Sequence, residues 1–396
     1  MPVRSLSSSV LKWPDASAVY QAVHQWAGEV IQGRPDILRI GYMGSYARGD
    51  WGVGSDLDLI VVVGQDERPF WRRTVAWDLS SLPVPTDILV YTQQEWQALA
   101  DQSGRFYRTV KEEAMWIYEH DNPDELTSRR PAVAGQFYPA DPATLRDSVN
   151  TYLDAAPARQ LGDVRAVIAP HAGYPYSGPI AGHSFKALAG KTEGRYTVYL
   201  MGPAHYGPVN GVAVGIFDRF ETPLGSVPVA AEQAEALVER GDPYQAGNQA
   251  HLPEHCLEVE LPFVRTVLPD CRIVPMLFGR VDPEPVGRDL VELVADDPWS
   301  LIVVSSDLSH YYRYEIAQHM DRAFLEAVVA GDADSAAQGE ACGITPILTL
   351  MTVADSLNWQ PTLLDYRNSG DTGGDKSGVV GYAAVAYTAS DGRHTD

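Results

Sequence analysis

The sequence predicts an α/β protein built as two domains, and three observations predict it. Two apolar, β-branched-rich runs, residues 164–169 and 196–201, close on Pro170-His171 and on Gly202-Pro203-Ala204-His205. Buried parallel strands end this way, and a helical segment between the runs supplies the crossover. The chain has 396 residues and is 45% hydrophobic, too long for one ordinary core and apolar enough to pack two. A short polar, turn-rich stretch runs from Asp121-Asn122-Pro123-Asp124 to Ser128-Arg129-Arg130-Pro131, so domains are expected over residues 1–125 and 129–396.

In the first domain, Val19, Val23, Trp26 and Val30 recur at helical spacing behind Asp15, which is expected to cap a helix reaching about residue 32. A strand over 37–42 leads into GYMGSYARGDWGVGSDLDLIVVV, residues 41–63. There Gly44-Ser45 offers backbone N–H groups and a hydroxyl to an anion, and Arg48 adds a cation. Asp56 and Asp58 stand two apart at the start of a strand over 57–63, so they share a face and can hold hard divalent cations together. Asp87 opens another apolar strand in PTDILVYT. Alone, each feature reads as an ordinary turn or a solvated strand end; together they are what two-metal nucleotidyl transfer requires. Trp96, Phe106, Tyr107, Trp116 and Tyr118 fall on segments read as helical. With little basic interleaving, these aromatics are expected to pack rather than to stack bases.

This segment resembles the minimal nucleotidyltransferases of the polymerase-β superfamily. Their pattern is a Gly-Ser turn with Ala-Arg-Gly, then Ser-Asp-x-Asp, then one more strand Asp, and Gly44, Ser45, Ala47, Arg48, Gly49, Ser55, Asp56, Asp58 and Asp87 match it. The resemblance covers about residues 37–90 and implies a small mixed-sheet domain. It also implies that Gly44, Ser45, Arg48 and Ser55 bind a nucleoside triphosphate, and that Asp56, Asp58 and Asp87 hold Mg²⁺ and catalyse transfer to an unknown acceptor.

In the second domain a helix is expected near Asp141, followed by the two units of strand and histidine. A third apolar run, 301–306, ends in Asp307-Leu308-Ser309-His310. The C-terminal edge of an open α/β sheet is where ligands bind, so these ends are placed for chemistry. Residues 212–217 and 227–229 read as short strands of an inserted β segment and 272–278 as another buried strand. Helices are expected over 282–295, 316–329 and 347–357, with a β-rich end over 361–366 and 379–387. Seven of the ten histidines lie between His171 and His319. His171, His205 and Cys342 are donors of the kind that bind Fe, Cu or Zn. Cys342 precedes a helix whose dipole is expected to favour thiolate; the alternative is a small buried hydrophobe. Asp307 and His310 can serve as ligand, orienting group or acid/base. His183 and His319, on helical segments, are expected to be core or surface histidines.

PHAGYPYSG, GPAHY, EHCLEVELPF, SSDLSHY and ACG resemble the Memo family, protein B of the AmmeMemoRadiSam system, whose fold is similar to the class III extradiol dioxygenases. The resemblance covers about residues 131–387. It implies one Fe or Cu ion held by His171, His205 and Cys342, with Asp307 and His310 beside it and His255 nearby. Glu258 is assigned to the same pocket. Extradiol dioxygenases use two His and a carboxylate; Cys in the third place is a softer donor, suited to Cu(I) or a differently tuned iron. Three alternatives stand for this domain. It is a redox enzyme of dioxygenase type, a Zn hydrolase with Glu258 or Glu260 as general base, or a non-catalytic module that binds a small molecule or peptide.

Lys+Arg number 30 against 52 Asp+Glu, a net charge of −22. The excess is shared: net −7 up to Ser128 and −15 beyond it. A long nucleic acid is therefore not expected as a partner, because binding it takes clustered Lys/Arg. The three cysteines, Cys256, Cys271 and Cys342, form no CxxC pair, as expected in a reducing cytoplasm. The N-terminus has no apolar signal region and no run of 18 apolar residues occurs, so neither secretion nor a membrane span is expected.

Overall fold

The computed structural model describes residues 13–14, 16–34, 36–64, 66, 68–102, 104–119, 128–191 and 194–389. Asp15, the expected helix cap, and residues 121–127 of the turn-rich stretch lie outside the described residues. The chain divides into two compact units, Met1–Asp121 and Asn122–Asp396. Among the described residues no helix is long and apolar enough to cross a membrane.

In the first unit, β1 (Ile37–Met43), β2 (Leu57–Val63), β3 (Thr86–Thr92) and β4 (Met115–Glu119) form one sheet in the order β3-β2-β1-β4. β2 and β3 are parallel and the other pairs antiparallel, so the sheet is mixed. The helix Ala16–Gly33 buries Val19, Val23 and Trp26, the stripe its spacing predicts. Trp116 and Tyr118 correct the helical expectation: they lie on β4, because Ala114 turns the chain extended (ψ 131) after the helix Arg105–Glu113. Trp96 contacts the rings of Tyr91, Tyr107 and Trp116 at 5.5–5.9 Å, so these aromatics pack on one another.

The second unit contains β5 (Ser128–Arg129), β6 (Asp163–Ala169), β7 (Thr197–Pro203), β8 (Val212–Val214), β9 (Arg219–Phe220), β10 (Val227–Pro228), β11 (Tyr244–Ala246), β12 (Arg272–Phe278), β13 (Ser300–Ser305), β14 (His310–Tyr312), β15 (Gln360–Asn368) and β16 (Val379–Ala389). The main sheet runs β11-β8-β12-β7-β13-β6-β16-β14, with β15 on β16. Its centre, β12-β7-β13-β6, is parallel and buried on both faces, which is why those strands read as continuous apolar runs. β8 is not an insertion: it joins the main sheet antiparallel to β12. β9 and β10 instead form a small sheet with β5.

The helix Tyr174–Leu188 carries the chain from β6 to β7 across the position of β13. It packs with Pro142–Ala155, which the Asp141 side chain caps at Thr144 N–H, and with Cys256–Val267. The helices Pro283–Val294 and Ile344–Leu357 pack together. Arg129, near the end of the polar, turn-rich stretch, is buried. It is 1% exposed and donates to the His251 carbonyl at 3.0 Å, the Glu254 carbonyl and the Glu258 carboxylate.

Candidate functional site

β7, β13 and β6 are consecutive in the sheet, and each ends two residues before a polar side chain: His205, Asp307 and His171. Adjacent strands sit about 4.8 Å apart, so the histidines flank Asp307 at one edge. The imidazole centroids of His171 and His205 are 5.3 Å apart, and His255, at the start of the helix Cys256–Val267, lies 5.4 Å and 4.8 Å from them. Cys342 arrives from the turn before Ile344–Leu357. Its sulfur is 3.4 Å from His171 Nε2, and the donor atoms of His171, His205 and Cys342 all lie within 4.8 Å of one another.

Hydrogen bonds behind the rings aim them. His205 Nδ1 meets Glu254 Oε1 at 2.9 Å, and its backbone N–H donates to the other carboxylate oxygen at 2.7 Å. A carboxylate behind Nδ1 holds the proton there, so an ion that displaces the proton on Nε2 would meet its lone pair, the arrangement common to metal-binding histidines. Burial alone would lower the His205 pKa, but the Glu254 charge, the bond to Cys342 and the bond to Glu254 carry it well above the usual value. Burial opposes ionisation of Glu254, yet His205 and His255 hold its carboxyl well below the usual range. Glu254 has no signal in the sequence beyond its place between two histidines in HLPEH. It joins His205 and His255 in a second group of close donors.

Asp307 accepts the His171 backbone N–H at 2.9 Å and sends its own N–H to the Cys342 sulfur at 3.2 Å. Burial lifts its carboxyl to about 6. His310, on β14, is lowered by burial and is near enough for its charge to act on His171 and His205. The next residue, Tyr311, holds a left-handed φ of 65 while exposed, a costly conformation of the kind found at functional sites.

One expectation is overturned here and another is opposed. Burial raises the Cys342 thiol against the expected helix-dipole effect, while the bonds from His205 and from the Asp307 N–H pull it back down. Glu258 is not a pocket base: it is fully buried, and Arg129, the N–H groups of Ala132 and Val133 and the Tyr138 hydroxyl occupy its carboxylate. His183 lies 3.5 Å from Asp365, and His319 is exposed, as helix-borne histidines were expected to be.

In the first unit, Asp58 and Asp87 are register partners on adjacent parallel strands, and Asp56 precedes β2. Burial raises the Asp58 carboxyl, and the charges of Asp87 and Asp56 add to it. The three aspartates spread wider than the donors of the second unit; among the described residues they form no group within 4.8 Å. Gly44 has φ 76, and a Cβ there would collide with Asp58 Oδ2, so only glycine brings the turn against this carboxylate. Ser45 opens a one-turn helix, Ser45–Arg48. Ser55 accepts the Gly52 N–H at 2.8 Å and so shapes the loop before Asp56. Arg48 is paired with Glu113 at 2.6 Å and Asp50 at 3.2 Å.

Residues 129–386 match the family described as Memo-like protein, and residues 27–117 match the nucleotidyltransferase domain. A MEMO1 family protein of Methanopyrus kandleri is 36% identical over 281 residues, covering 65% of this chain and 98% of the relative. Those of Methanothermobacter thermautotrophicus and Nitrosopumilus maritimus are 34% and 32% identical, each over 65% of this chain and 99% of the relative. One solved structure, titled a putative nucleotidyltransferase from Sulfolobus solfataricus, aligns at 18% identity and a TM-score of 0.21, over 27% of this chain and 86% of that one.

Proposed function

Because the chain belongs to the Memo-like family and carries a nucleotidyltransferase domain ahead of that region, we propose that it joins two activities: Mg²⁺-dependent nucleotidyl transfer and metal-dependent redox chemistry. The second rests on one observation, the 3.4 Å approach of Cys342 Sγ to His171 Nε2 within a three-donor group. Bonds of about 2.0–2.3 Å to one tetrahedral ion put nitrogen and sulfur donors roughly 3.4–3.6 Å apart. Two imidazoles and a thiolate suit iron or copper, not a hard cation such as Mg²⁺. Such an ion would supply electron transfer to a small molecule or peptide bound beside it.

The chain's own residues prepare that chemistry. Glu254 orients His205. The Asp307 N–H, directed at the Cys342 sulfur, favours its thiolate form. Asp307 and His310 are the groups placed to hold or move a proton at the bound molecule. A hydrolase that uses Glu258 as its base is disfavoured, since that carboxylate is fully engaged.

In the first unit, the Gly44-Ser45 turn would take the triphosphate, and Asp58, Asp87 and Asp56 would hold Mg²⁺. The cation would offset the charge these carboxylates press on Asp58 and stabilise the leaving pyrophosphate. We place the protein in the cytoplasm, where its three free thiols stay reduced. Metal analysis of anaerobically purified protein tests the pocket. Wild type is expected to carry iron or copper and His171→Ala and His205→Ala to lose it, whereas Cys271→Ser retains it. Equal metal in all four would refute the assignment.

A further inference from the structure

Behind His171 lies a buried polar chain that the proposed chemistry does not use. Ser305, the last residue of β13, is fully buried. Its Oγ has three neighbours at 2.8 Å: the Cys256 carbonyl, Glu260 Oε1 and His171 Nδ1. A serine hydroxyl carries one proton and accepts two. The Cys256 carbonyl can only accept, so it takes the hydroxyl proton. The other two neighbours must then each bring a proton to Oγ.

For Glu260 this means a carboxylic acid, not a carboxylate. An ionised Glu260 would leave two oxygens facing each other across 2.8 Å with no proton between them. The surroundings agree: Glu260 is 0% exposed, and its Oε2 has no hydrogen-bond partner. A bare carboxylate in such a place is costly. Burial pushes the Glu260 carboxyl well above its usual range; the Ser305 bond opposes this and the Asp307 charge adds to it. For His171 the same count puts the proton on Nδ1, leaving Nε2 as a lone pair directed at Cys342.

We propose that Glu260, held as a neutral acid, is a positioning residue for His171: through Ser305 it fixes the Nδ1–H tautomer and presents Nε2 to the ion. This rests on the reading of His171 as a ligand. It separates two buried glutamates two residues apart, Glu258 as the partner of a buried arginine and Glu260 as an orienting acid.

The test uses full-length, metal-free protein at neutral pH, with Co²⁺ as the probe. Infrared difference spectra between wild type and Glu260→Gln are expected to show a carboxylic-acid C=O band that the variant lacks; its absence from wild type overturns the proposal. Glutamine still donates to Ser305, so Glu260→Gln is expected to bind Co²⁺ as wild type does, whereas Glu260→Leu should lose about 10-fold or more. Weakening by Glu260→Gln as large as that by Glu260→Leu would mean that a charge is required, and would sink the idea. If Glu260→Leu fails to fold, ¹⁵N shifts of the His171 ring decide: Nδ1–H in wild type and Glu260→Gln supports the proposal, and Nε2–H overturns it. A wild type without the thiolate-to-cobalt absorption that Cys342→Ser abolishes refutes the metal site instead, while the infrared band still judges Glu260.

Discussion

Replacing Asp307 with asparagine is expected to make the metal-free protein more stable at neutral pH. Asp307 is 5% exposed, and burial lifts its pKa from 3.8 to about 6, against the pull of the His171 and Ala172 N–H groups and of His255 and His205. A folded-state pKa above the unfolded one means the native state holds the proton more tightly. The associated stability is therefore fully present below about pH 4 and is lost as pH rises through about 6. Roughly two pKa units at about 1.4 kcal/mol each put the loss near 3 kcal/mol by pH 7.5. Asparagine keeps an oxygen for the His171 N–H at 2.9 Å and carries no charge, so the loss disappears. Urea denaturation of both metal-free proteins measures it. The variant should gain on the order of 3 kcal/mol at about pH 7.5 and about half that at pH 5. A variant no more stable than wild type at the higher pH, or a difference independent of pH, refutes the reasoning.

Two further outcomes are expected. Arg129→Met strands a fully buried Glu258 and should cost about 3–5 kcal/mol in denaturant melts of the full chain; a change under about 1 kcal/mol, the scale of a surface pair, would contradict the buried-pair account. Gly44→Ala forces a side chain into a left-handed turn against Asp58 and should abolish Mg²⁺-dependent nucleotidyl transfer, as should Asp58→Ala, without changing metal bound at Cys342. Transfer at wild-type rates in either variant would end the assignment of that turn.

Much of the scaffold was legible because buried parallel strands are apolar on both faces and stop at Gly and Pro: residues 57–63 and 272–278 read as strands with the bounds of β2 and β12. The histidines were legible for the same reason, since each sits two residues past a strand end. Strand order was not, because nothing in a run of apolar residues says that β13 lies between β6 and β7. The acidic residues were the hardest to read. Glu254, Glu258 and Glu260 fall within seven positions, yet one braces His205, one neutralises Arg129 and one meets Ser305. Those partners come from 45 to 129 residues away in the chain, and local spacing carries no trace of them. Trp116 was misplaced because an aromatic pair at i and i+2 gives no signal of its own against the preceding helical pattern.

X-ray absorption at the metal edge of anaerobically purified full-length protein, beside its Cys342→Ser variant, tests the central claim most directly. The account predicts one sulfur at about 2.3 Å and two imidazole nitrogens at about 2.0–2.1 Å in wild type, with the sulfur gone from any metal the variant retains. A wild-type site without sulfur, or a sulfur signal that survives Cys342→Ser, would contradict it.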